Sequence, residues 1–270
     1  RKMPTDTALH MAAKGGEMDE AVKILDEYAT KVKEGAARDT VAVIDEQDCT
    51  GWTPLHWAAS RGKDDIAKLL IERSANVHLV TADNWSAMHD AARKGSEPVC
   101  RMLRDAGADV KIRTANGNTP LHLACHYGRL EAATFLSDCE GLDLNETNGL
   151  GHSPMHLASR YGHEAIVALL IDKRGSVLLQ DRIGRTAQAL AAEGKFDSVV
   201  QALQQAAAEQ RNGVVNAAEL ALNAAQEALS QGDKAAAKEK FEEAEAKFAM
   251  AGEEDRAKQS REAANECKKG

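Results

Sequence analysis

Thr53-Pro-Leu-His-Trp-Ala58, Thr119-Pro-Leu-His-Leu-Ala124 and Ser153-Pro-Met-His-Leu-Ala158 are three copies of one hexapeptide. Looser copies stand at Thr7-Ala-Leu-His10 and Ser86-Ala-Met-His89, with a degraded one at Thr186-Ala-Gln-Ala189. Successive histidines lie 46, 33, 33 and 34 residues apart, and the last step, to Ala189, is 33. A short hydroxyl side chain followed by Pro marks a helix start: the hydroxyl accepts from unpaired N–H groups, and Pro suits the first helical position. Nine residues after each Thr or Ser stands a glycine, at Gly16, Gly62, Gly95, Gly128 and Gly162, where a left-handed residue ends a short helix. A second helix is predicted by the apolar stripes Ile66/Leu69/Leu70, Val99/Met102/Leu103, Ala132/Phe135/Leu136 and Ile166/Leu169/Leu170, all at i, i+3, i+4. A turn residue precedes each anchor by two positions, at Gly51, Asn84, Gly117, Gly151 and Gly184. Each unit therefore reads as helix, turn, helix and β-turn loop, and the fold class is all-α.

A 33-residue period carrying Thr-Pro-Leu-His-x-Ala resembles the ankyrin repeat family, and the resemblance covers roughly residues 5 to 210. It implies a solenoid, since one unit alone cannot bury its apolar face and stacked neighbours supply the core. Repeats are expected at about 5–49, 50–82, 83–115, 116–149, 150–182 and 183–213, in an elongated, slightly curved rod. The departures fall at the ends: Ala8 replaces Pro in the first unit, and the sixth has lost Pro and His, with Gly194 displaced by one position. Both read as capping units. The first spacing exceeds 33 by 13 residues. The extra material, between Tyr28 and Val43, reads as a lengthened second helix and a longer loop, either a tolerated surface insertion or a docking element.

The pattern stops at Val214, so residues 1–213 and 214–270 are expected as two domains. Ala218, Leu222, Ala225 and Leu229 form one helix face, and after Gly232-Asp233 the residues Ala237, Phe241, Ala244 and Phe248 form another. The two helices are expected to pack antiparallel, with a third from about Glu253 turning Ala257, Ala264 and Cys267 inward. Gly232, Ala237, Phe241 and Ala244 resemble positions of a tetratricopeptide repeat, although Ala221 and Ala228 replace its Trp and Tyr and its closing Pro is missing. A plain helical hairpin or three-helix extension is the other reading.

The formal charge is −8 and no Lys/Arg block appears, which argues against nucleic acid as a partner. No apolar run is long enough for a membrane span. Cys49, Cys100, Cys125, Cys139 and Cys267 include no C-x-x-C pair, which suits the cytoplasm or another reducing compartment. The chain opens at Arg1 with neither an initiating Met nor an apolar signal core, leaving room for a processed or longer parent. Phosphate loops, zinc-protease, nucleophile-elbow and EF-hand motifs are all missing, so neither catalysis nor a cofactor or metal is expected. His10, His56, His89, His122 and His156 occupy one slot of the repeat and read as structural partners of the capping hydroxyl; His126 is expected to face outward.

With only ten aromatic residues, three Trp, three Tyr and four Phe, each ring's position carries information. The ankyrin resemblance implies partner binding along a concave face built from the loop residue before each anchor and the seventh and eighth residues after it. Trp52, Trp85, Asn118 and His152 fill the loop position; Lys14, Ser60, Arg93, His126 and Arg160 the seventh; Arg61, Lys94, Tyr127 and Tyr161 the eighth. Trp57 adjoins the same face, four residues after its anchor. Trp, Tyr and Arg are the types enriched in binding hot spots. The expected function is a protein–protein interaction module, a scaffold or adaptor, whose partner carries an acidic and apolar or Pro-rich segment. The alternative is a regulatory or inhibitory subunit of an enzyme using the same face.

Overall fold

The computed structural model of the chain describes residues 7–34 and 41–267. These divide between two compact units, Arg1–Gln201 and Ala202–Gly270. In the first, helices alternate in pairs: α1 (Ala8–Gly15) with α2 (Met18–Lys33), then, after the short α3 (Val41–Ile44), α4 (Pro54–Arg61) with α5 (Asp64–Glu72). The pairs α6 (Ala87–Lys94) and α7 (Glu97–Asp105), α8 (Pro120–His126) and α9 (Leu130–Ser137), and α10 (Pro154–Arg160) and α11 (Glu164–Asp172) follow. A sixth pair opens with α12 (Ala187–Glu193) and the start of α13 (Asp197–Ser230). Among the described residues no strand forms, and the loops add two isolated antiparallel bridges, Val80–Ser86 and Gln180–Thr186.

The anchor residues cap the first helix of every pair. The Thr or Ser oxygen accepts the N–H of the residue three positions on, and in α1, α4, α6, α8 and α10 the histidine side chain returns a bond to the cap backbone. Backbone N–H groups of Thr7, Thr53, Ser86, Thr119 and Ser153 donate to Nδ1 at 3.1–3.3 Å. Nδ1 is therefore an acceptor and the ring proton sits on Nε2. That Nε2–H donates to a carbonyl of the following loop: His10 to Trp52, His56 to Trp85, His89 to Asn118, His122 to His152 and His156 to Arg185, at 3.0–3.2 Å. The same carbonyls also accept from the loop's own first residue, Asp48, Thr81, Thr114, Asn148 or Asp181, so both lone pairs are used.

Apolar packing fills the space between units. Ile66, Leu70, Val99, Leu103, Leu136, Ile166 and Leu170 of the outer helices and Leu9, Leu55, Met88, Leu121 and Met155 of the inner ones are almost completely buried. Met102 and Leu169 of the expected stripes are only half-buried. The expected left-handed glycines adopt φ of 66–93°, and Gly117 shows why the loop needs one: at φ +76°, an added Cβ would lie 2.9 Å from the Gly149 nitrogen. The sixth unit differs from expectation. Gly194 keeps a helical φ of −80° and Lys195, in register with the other units' glycines, takes the left-handed conformation at φ 60°. The register of the repeat thus prevails over the residue's own preference. α2 is longer than its counterparts, 16 residues against 9 in α5; residues 35–40 of the expected loop lie outside the described residues.

In the second unit, α13 is followed by α14 (Lys234–Ala251) and α15 (Glu254–Glu266). Ala218 and Ala221 pack with Ala244, Phe248 and Ala257, and Ala225 with Ala237, Phe241 and Ala264. Partners on α14 run backwards as α13 advances, so those helices are antiparallel. α13 runs without a break through Gly213, because the neighbouring Ala, Glu, Gln and Arg residues outweigh the roughly 1 kcal/mol cost of one glycine. One expectation changes. Leu229 is exposed while Ala228 packs inward: the stripe steps by three at that point, not four.

Thr119→Ala removes a cap and one donor to a buried imidazole. It is expected to lower the stability of the first unit by about 1–2 kcal/mol, whereas Thr119→Ser restores most of it. Urea unfolding followed by fluorescence of Trp52, Trp57 and Trp85, all in that unit, reads this directly.

Candidate protein-binding face

Each loop residue before an anchor has its carbonyl held by the histidine of the preceding unit, so its side chain takes no part in that bond. Helix ends are fixed similarly. Arg129 Nε donates to the Arg93 carbonyl and His163 Nε2 to the His126 carbonyl, both at 3.0 Å. The residues expected on the face are therefore mounted on a backbone determined by neighbouring units.

The structure sorts them into three groups. At the N-terminal end the Trp52 and Trp57 rings meet at a tilt of 49° with centres 4.6 Å apart, and Lys14 and Arg61 lie over the Trp57 ring at 4.3 and 5.7 Å. The Trp57 indole N–H donates to Asp48 Oδ2 at 2.8 Å, so this ring is tied into the loop and half-buried. In the middle, Arg93 lies over Trp85 at 5.8 Å, with Lys94 exposed beside it. At the C-terminal end the His126 ring sits between Tyr127 and Tyr161, at 4.5 and 4.4 Å. His126, expected to face outward, is half-buried between the two tyrosines. Burial, with the charges of His163 and Arg160 adding to it, holds its imidazole below the usual 6.5.

A cavity of about 390 Å³ joins the middle and C-terminal groups. Trp85, His126, Tyr127, Arg160 and Tyr161 line it together, whereas Trp52, Trp57, Arg61, Arg93 and Lys94 stand outside. Its lining contains no carboxylate, on a chain with 42 acidic residues. Arg160 makes no ion pair among the described residues. His152, expected as a surface residue, is buried, with Nε2 3.4 Å from Asp181 Oδ2; Asp181 is also paired with Arg185 at 3.0 Å.

A family model described as Ankyrin repeats (3 copies) matches residues 2–79, 73–148, 104–181 and 139–212. The chain belongs to the ankyrin repeat family. Its repeats are thus those of a family of protein–protein interaction modules. The chain is also similar to the mouse protein named Protein phosphatase 1 regulatory subunit 27, at 40% identity over 83 residues. That match covers 28% of this chain and 46% of the relative, so the chain spans under half of that relative's length.

Aligning the ankyrin units reveals residues that the sequence reading passed over. Four positions after the anchor stand Met11, Trp57, Asp90, Leu123, Leu157 and Leu190. Asp90, the carboxylate in this apolar row, is completely buried. Burial pushes it up to about 7, against the opposing pull of Arg93. The contrast with its row was legible in the sequence. Leu150 and Ile183 were missed too: they are 64% and 73% exposed at adjacent loop tips, where Arg182 N bonds the Leu150 carbonyl. Only the spacing from the anchor marks them.

The buried titratable groups set the pH dependence of stability. Burial lowers His56, His89 and His122 to about 4, so acidification below 6.5 protonates them first in the unfolded chain. Each then removes about 2 kcal/mol between pH 6.5 and 5. Asp90 acts in the opposite direction, its stability contribution rising as pH falls through 7, and offsets about 2 kcal/mol between pH 7 and pH 5. The net expectation is a lower melting temperature at pH 5 than at pH 7. Asp90→Leu should raise the melting temperature at pH 8 and gain progressively less as pH falls, which thermal scans across this range would show.

Proposed function

We propose that this chain is a non-catalytic interaction module that recruits or positions a protein through the face carrying Trp85, His126, Tyr127, Arg160 and Tyr161. The observation that supports it is the carboxylate-free cavity, which brings five of the expected residues together around an unpaired Arg160. Tyr127 and Tyr161 are each 43% exposed, an unusual use of large rings in a chain with so few; amphipathic aromatics and Arg are what binding hot spots employ. Acidic side chains of a partner would meet Arg160, Arg61, Lys14 and Lys94, while apolar or Pro-rich residues pack on Tyr127, Tyr161 and the Leu150 tip. Trp52 and Trp57 contribute area, but the Trp57 ring already carries Lys14 and Arg61 of this chain. The five cysteines, all unbridged, suit a reducing intracellular setting. No described helix is long and apolar enough to cross a membrane.

A second reading is a regulatory subunit of an enzyme, favoured by the likeness to a protein named as a phosphatase regulatory subunit. Both use the same face. Affinity purification with the whole chain, beside a Trp85→Ala/Tyr161→Ala variant, tests the assignment, and the activity of any co-purified enzyme with and without the chain separates the readings. Each single substitution is expected to weaken partner binding by about 2 kcal/mol with the fold intact. Trp57→Ala should instead lower stability, through its lost bond to Asp48. Unchanged capture by the double variant removes this face from consideration.

A further inference from the structure

The middle of the face holds an arrangement that packing does not require. Asp90 stands where the other units place Met, Trp or Leu, and its side chain has no solvent exposure. Arg93 Nη2 donates to Asp90 Oδ1 at 3.1 Å, and the guanidinium lies over the Trp85 ring. The Trp85 indole N–H faces the same carboxylate without reaching full hydrogen-bond geometry. Asp90 Oδ2, Arg93 Nε and Trp85 Nε1 are consequently buried and unpaired among the described residues. A buried charge with incomplete partners is costly, and an apolar residue of similar volume would be the more stable choice. Its neighbours are Trp85, which belongs to the proposed face, and Arg93, which stands beside the cavity.

We propose that Asp90 is a positioning residue of the binding face: its carboxylate holds Arg93 against Trp85 and withholds that cation from an acidic partner until it takes up a proton. This rests on the proposed binding face. The surroundings make the carboxylate the responsive group. On its own helix, α6, the charged neighbours are Arg93 and Lys94, and His89 lies tilted against Trp85, with ring centres 5.5 Å apart, but is lowered by burial to about 4. On the flanking inner helices, α4 contributes Arg61 and α8 contributes His126 to the face. The outer helix α7 turns Val99, Cys100 and Leu103 inward, and burial pushes the Cys100 thiol up to about 12. Arg93 is the charge acting on Asp90, and burial places its proton uptake near neutrality. Once Asp90 is neutral, Arg93 is free to move from the ring and pair with a carboxylate of the partner.

The test uses the whole chain labelled with 5-fluorotryptophan, whose three ¹⁹F resonances are assigned with Trp→Phe variants. The Trp85 resonance is expected to shift between pH 5.5 and 8.5 with a midpoint near 7. Trp57 should stay flat, since burial at Asp48 is outweighed by donors from Thr50, Trp52 and Trp57 that keep it below the usual carboxylate range. Asp90→Asn and Asp90→Leu should each abolish the Trp85 shift, and His126→Gln should leave it. A flat Trp85 resonance in the wild type, or one that still titrates without Asp90, overturns the proposal. The binding arm uses an acidic peptide selected from a phage-displayed library on the whole chain and lost with Trp85→Ala. Its affinity is expected to rise about threefold from pH 8 to pH 6 in the wild type and to stay level in Asp90→Asn; equal pH profiles for both chains also overturn it. If no selected peptide depends on Trp85, the binding-face reading fails, while the resonance still decides the role of Asp90.

Discussion

A buried neutral imidazole couples every junction of the first unit. Its Nδ1 accepts from the cap of its own repeat and its Nε2–H donates into the loop of the next. One ring therefore fixes the start of a helix, the tautomer of the ring and the position of a neighbouring loop together. The apolar stripes bring repeats into contact, but hydrophobic contact is non-directional. The histidine bond supplies the direction, because a shift of the next repeat would leave a buried N–H and carbonyl unpaired. Charging the ring would place a proton where the cap's N–H already points, which is why its chemistry must remain that of a neutral donor–acceptor.

The same bonds explain how the fold serves the face. Carbonyls of Trp52, Trp85, Asn118, His152 and Arg185 are all occupied, and their side chains take no part in the junction bond. Around them the molecule separates its charges unevenly. Asp48, Asp90 and Asp181 are buried near the face and engaged by Trp57, Arg93 and Arg185. Arg160 is left without a carboxylate, beside two half-exposed tyrosines. An acidic chain thus presents a locally cationic and aromatic surface.

Much of this was legible in the sequence because the period repeats the same physical requirement six times. Thr or Ser, Pro, His and Gly recur where a cap, a first turn, a junction bond and a left-handed residue are needed. What the reading missed was singular or depended on three dimensions. Lys195 takes a left-handed conformation that neighbouring packing demands, although Gly194 stands one place away. Trp57 looks like a free aromatic until Asp48, nine residues earlier, is seen to bind it. The cavity draws its wall from three successive repeats, so no local pattern announces it. Asp90 is the exception: it was visible as the polar member of an apolar row, and aligning by function rather than by period concealed it.

The occupied carbonyl before each anchor has a wider consequence for how such a chain changes over time. Five side chains of four kinds, two Trp, an Asn, a His and an Arg, hang from what is essentially one backbone site. Since the junction uses only main-chain oxygen there, a substitution at that site leaves the junction bond intact. Divergence of the face is thereby uncoupled from the upkeep of the scaffold, and each repeat carries a position at which a new partner can be sampled while the stack is inherited unchanged.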